Sequence, residues 1–118
     1  KRFMPSRDWK LRIRDILESV AAVESYVAGM TFEAFEGDQK TIDAIVRRFT
    51  VIGEAANHVP AQICLRNPHI PWEDMRAMRN FVVHEYFGVS DRTLWDTIHV
   101  DLPGIVEPLK LLLDREPD

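Results

Sequence analysis

A single cysteine, Cys64, stands in 118 residues. No disulfide framework can brace such a chain, and one free thiol suits a reducing cytoplasm. No apolar run approaches the roughly 18 residues that a membrane-spanning helix needs, and no signal-peptide pattern opens the sequence. Bases are outnumbered, 15 against 19 acids, for a net charge of −4. That balance disfavours a globally basic nucleic-acid binder, so any anion-binding surface must be local and built from a few arginines. Only five glycines occur, with no Gly-rich phosphate loop and no Asn-Gly or Asp-Gly hairpin signal. No Ser/His/Asp arrangement is present. His58, His69 and His99 show no metal-ligand spacing with Cys64 or with one another. Neither a metal nor a cofactor is expected.

The remaining composition is that of an ordinary globular protein, 46% apolar and 29% charged. A chain this short makes one domain, read as residues 4–118, with Lys1, Arg2 and Phe3 foreign to a natural start at Met4. The net negative charge lies in the second half and gathers at Asp114, Glu116 and Asp118.

The periodicity is helical throughout. Trp9, Ile13, Ile16, Val20, Val23 and Val27 recur every three or four residues, a single apolar stripe, with Ser6 or Asp8 as cap and Gly29 as stop. A linker with a possible turn at residues 31–35 leads to a second helix carrying Ile42, Ile45, Phe49, Ile52 and Val59, stopped by Pro60. Gly53, Ala55 and Ala56 are small enough to let another helix come close. Pro68 and Pro71 make a loop, and Pro71 opens a third long helix from Trp72 to about Phe87, ended by Gly88. Ser90 or Asp91 caps the last helix, striped with Leu94, Ile98, Leu102, Ile105, Leu109 and Leu112, and Pro103 should kink or divide it. The prediction is an all-α, four-to-five-helix up-and-down bundle.

The third helix breaks the pattern. Its stripe reads Trp72, Met75, Arg79, Val82, Tyr86, and its neighbour reads Ala77, Asn80, His84, Phe87. Polar groups among apolar neighbours cost several kcal/mol if they are buried without partners, so they need an explanation. On a regular helix Asn80 and His84 stack about 40° apart, but Arg79 and His84 lie about 140° apart. Bringing those two to one substrate requires a distorted helix, long reach, or a cleft made with a second copy of the chain.

The segment Arg79-x4-His84-x-Tyr86 resembles the R-x4-H-x-Y motif of the HEPN superfamily, in its HepT-like toxin branch, and Arg79-Asn80 matches the common form of that motif. Residues 51–57 and the Asp101-Leu102-Pro103 stretch resemble the same branch, so the likeness runs over residues 7–113. The resemblance implies a helical homodimer acting as a metal-independent endoribonuclease, the toxin of a toxin–antitoxin pair. Arg79, Asn80 and His84 would be its catalytic residues and Glu54 a residue lining the site. It also implies a partner resembling a minimal, MntA-type nucleotidyltransferase that adds AMP to the motif tyrosine, here Tyr86. The residue types suit metal-free RNA cleavage. Histidine titrates in the right range for proton transfer, and arginine offers a planar fork to the pentacoordinate phosphate. A non-catalytic helical partner of such a nucleotidyltransferase is the alternative reading.

Overall fold

The computed structural model describes residues 8–81 and 90–116, and every element in them is helical. Helix α1 spans Asp8–Val27, α2 Phe32–Glu36, α3 Gln39–Asn57, α4 Ala61–Arg66 and α5 Trp72–Ala77. A 3-10 turn over Met78–Asn80 continues α5. Helix α6 covers Asp91–Asp96, a π-helical turn covers Thr97–Asp101, and α7 covers Pro103–Arg115.

Local chemistry sets most of these boundaries. Side chains of Thr31, Asp38 and Ser90 accept from the backbone N–H groups of Ala34, Thr41 and Thr93, capping α2, α3 and α6. Past the end of α1, Gly29 turns the chain with φ of 77°, a conformation that penalises any Cβ. Helix α4, which the linker-like residues around Pro60 did not announce, starts directly after that proline.

The four long elements alternate in direction. Arg48 of α3 donates to Tyr26 Oη at 3.4 Å and Ser19 Oγ at 3.5 Å near the end of α1. The far end of α3 lies beside Arg12 and Asp15 near the start of α1, so the two helices run antiparallel. Phe49 meets Phe81 edge-on at 5.0 Å, and Gly53 meets Arg76 and Arg79, so α5 runs back along α3. Lys10 Nζ donates to the Leu113 carbonyl at 3.1 Å, which returns α7 along α1. Every apolar residue named above for α1, for α3 and for the last helix is buried. The up-and-down helical bundle read from the sequence is the fold.

Asn67, only 3% exposed, ties the base of the bundle together. Its amide donates to the Ile63 carbonyl and to Glu116, its oxygen accepts from Arg115, and its backbone carbonyl accepts from the Trp72 indole. Arg66 grips Glu116 through two hydrogen bonds, the shorter 2.7 Å.

Candidate active site

The last helix divides as Pro103 predicts. Proline lacks an N–H and its ring collides with the carbonyl one turn back, so a regular helix cannot run through it. Here the turn before it widens, Leu102 N–H reaching back five residues to the Thr97 carbonyl at 3.0 Å, and α7 starts afresh at Pro103.

The third helix departs in the opposite sense, and this corrects the sequence reading. It is not a regular α-helix through Arg79 and Asn80. It tightens at Met78–Asn80 to three residues per turn, so Trp72, Met75 and Met78 form the buried line and Phe81 packs beneath them. Arg79 and Asn80, expected among apolar neighbours, are exposed instead. The polar residues therefore carry no burial penalty. A distortion of the kind the motif demands lies at Met78–Asn80, and Gly88 falls outside the described residues.

Gly53 is why this turn can sit where it does. A Cβ there would stand 2.6 Å from Arg79 N, 2.8 Å from Arg79 Cβ and 3.0 Å from the Arg76 carbonyl. Only a glycine lets that backbone lie so close on α3. The next residue, Glu54, then meets Arg79 directly, with Arg79 Nη1 donating to Glu54 Oε2 at 3.3 Å. Their side chains are 41% and 52% exposed. A pair so wet adds little to stability, about 0–1 kcal/mol, so its consequence is orientation. One of the five guanidinium donors is engaged, and Arg79 makes no other polar contact among the described residues. Asn80 has none either. His84 and Tyr86 lie outside the described residues.

Below Glu54, a cleft of about 210 Å³ opens between α1 and α3. Arg12, Asp15, Thr50 and His58 line it with Glu54, and His58 Nδ1–H donates to the Glu54 carbonyl at 2.8 Å. Sequence reasoning gave no site role to these residues. Arg12 and Asp15 lie off the apolar stripe of α1, and only the antiparallel pairing of α1 with α3 puts them beside Glu54.

The remaining candidates have structural places. Arg48 ties α3 to α1, whereas Arg47 is exposed. His99 stacks on Trp95 at 4.1 Å and bonds its carbonyl. Cys64 is half-buried against the core, and that burial pushes its thiol pKa up, with Arg76 opposing the shift. Among the described residues no group of three His, Cys, Asp or Glu side chains could hold a metal ion, and no helix is long and apolar enough to cross a membrane.

No solved structure matches the chain significantly. Sequence relatives are clear. A protein of Thermococcus cleftensis designated probable ribonuclease HepT is 37% identical over 99 residues, 84% of this chain and 90% of its own length. One from Methanocaldococcus jannaschii, provisionally designated an RNase, is 36% identical over 114 residues, 96% of this chain and 94% of its own. A third, from Caldanaerobacter subterraneus and provisionally designated likewise, is 33% identical over 104 residues, 88% of this chain and 93% of its own. The description "Ribonuclease HepT-like" matches residues 16–112, a span that contains Gly53, Glu54 and the whole Arg79-to-Tyr86 motif. The chain belongs to the HepT-like ribonuclease family.

Proposed function

We propose that the chain is a metal-independent endoribonuclease, the toxin of a toxin–antitoxin pair, with Arg79, Asn80 and His84 as its catalytic residues. The observation that carries this reading is the Gly53 seat, which holds Arg79 at the surface against Glu54 with most of its donors unengaged among the described residues. An arginine so placed suits the extra charge of a pentacoordinate phosphate.

In the proposed reaction the ribose 2′-oxygen attacks the adjacent phosphorus and the 5′-oxygen leaves. The products carry a 2′,3′-cyclic phosphate and a 5′-hydroxyl. His84 transfers a proton, from the 2′-hydroxyl or to the departing oxygen, and Asn80 orients it or binds a phosphate oxygen. Glu54 lines the site and positions Arg79. Two copies of the chain pair through the third helix, whose two polar stripes then share one cleft.

Control falls to an MntA-like nucleotidyltransferase antitoxin. Tyr86 Oη attacks the α-phosphorus of ATP, pyrophosphate leaves, and the adenylyl group fills the place of an RNA phosphate while its charge pairs with Arg79. The deciding experiment incubates purified protein with total RNA in EDTA beside a His84→Ala control. Cleavage that survives EDTA and vanishes in the variant is expected. Dependence on a divalent ion, or full activity in the variant, overturns the mechanism. Light scattering should give twice 13.7 kDa. Intact-mass spectrometry with the partner and ATP should map one AMP to Tyr86.

A further inference from the structure

The cleft between α1 and α3 adjoins Arg79 through Glu54, and two of its polar side chains are poorly satisfied. The Nε of Arg12 is out of contact with solvent and has no hydrogen-bond partner. Asp8 Oδ2 forms an i,i+4 ion pair with it at 3.7 Å, too long for a hydrogen bond. Such an orphaned donor costs free energy, and among the described residues no hydrogen bond holds Arg12 in this pose. Asp15, half-buried in the same wall, has no hydrogen bond or ion pair among the described residues. Residues 12 and 15 are three apart on α1 and share a face, yet their charged ends do not meet. The cleft therefore offers a donor-rich guanidinium beside two unengaged acceptor oxygens. Val51 adds an apolar wall, and His58 brings an aromatic ring held by its bond to the Glu54 carbonyl.

Single-stranded RNA is read on the Watson–Crick edges of splayed bases, with stacking on aromatic or arginine planes. A carboxylate accepts through both oxygens only from a base with two adjacent donors. Guanine alone has that edge, with N1–H beside the N2 amino group, and its O6 acceptor follows next in line for a guanidinium. Adenine and cytosine set an acceptor beside their amino group, which a carboxylate repels. Uracil has a single donor between two acceptors.

We propose that this cleft is a base-specificity subsite that seats a guanine of the RNA next to the scissile phosphate, with Asp15 accepting from N1–H and the N2 amino group and Arg12 donating to O6. The substrate class rests on the ribonuclease reading above, whereas the base preference rests on the cleft alone.

The test separates the two. Fluorescein-labelled 2′-O-methyl hexanucleotides cannot be cut by 2′-oxygen attack, so fluorescence anisotropy reads their binding whether or not the protein is an enzyme. A hexamer with one G among uridines should bind roughly tenfold more tightly than those with one A or one C or with uridine only. Asp15→Asn should bring the four affinities within a factor of two, and Arg12→Gln should reduce the same preference if Asp15→Asn does not fold. In total RNA, mapped cleavage ends should carry guanine at one fixed position beside the cut. Equal affinity for the four hexamers, no binding, a preference unchanged in the variants, or base-neutral cleavage ends would each overturn the subsite. RNA left intact by the wild-type protein while the guanine preference is still measured would overturn the ribonuclease reading and leave the subsite standing.

Discussion

Two helices of this bundle depart from regular geometry, in opposite senses and facing each other. At Met78–Asn80 the third helix tightens to a 3-10 turn, and at Thr97–Asp101 the last helix widens to a π turn. Met78 and Phe81 on one side and Val100 and Leu102 on the other wall the same groove of about 450 Å³. Their causes differ. The π turn belongs to Pro103, a local residue whose ring forbids the regular turn before it. The 3-10 turn has no proline or glycine of its own. It coincides with a close approach to Gly53, far away in the chain, and it moves Arg79 and Asn80 from an apolar stripe into solvent. One distortion is written where it occurs. The other is written on its neighbour.

The comparison breaks most sharply at Arg79. Arg79→Ala removes the proposed phosphate-binding fork but no buried volume, so RNA cleavage should fall about 100- to 1,000-fold. Circular dichroism and the urea midpoint should stay close to wild type. A variant that cleaves at the normal rate, or unfolds, would show that the tightened turn serves packing alone.

Gly53→Ala comes next and tests the remote cause. The new Cβ meets backbone rather than a flexible side chain, so the Arg79 turn must move away from α3. A loss of about 1–3 kcal/mol in urea unfolding is expected. Activity should drop further than that stability loss explains, because Arg79 parts from Glu54. Gly104→Ala in α7 is the control. Nothing lies within 4 Å of its Cβ, and alanine there should be neutral or should stabilise by up to about 1 kcal/mol.

Pro103→Ala tests the local cause with a smaller effect. Restoring an N–H lets the widened turn relax toward a regular helix, and hydrogen exchange at residues 97–103 should slow. Net stability should change by less than about 1 kcal/mol, since the gain in helix bonding offsets a more flexible unfolded chain.

The smallest effect concerns pH, away from both turns. Hydrogen bonds from Arg66 hold the Glu116 carboxyl below its ordinary range, and those from Thr41 do the same for Asp38. For a depressed carboxyl the stabilisation is complete above the unfolded-state value, near ~4, and is lost as pH falls through the lower folded value. Acid should therefore loosen the Asn67 clasp and the α3 cap, and Glu116→Gln should flatten the clasp's share of the acid limb in a thermal-melt series. A limb unchanged in that variant would assign the acid sensitivity elsewhere.

The sequence by itself determined the helical class, the three apolar stripes, the cap at Ser90, the break at Pro103 and the family. Each of these is carried by spacing or residue type within one or two turns, where a 3.6-residue period, a side-chain cap or a missing N–H acts directly. Tertiary structure alone decided that Arg79 is exposed, that Glu54 meets it, and that Arg12 and Asp15 share a cleft with His58. Residues 53 and 79, or 15 and 54, are brought together only by antiparallel packing, and no helical period records which helix a glycine will admit or at what height it will stand.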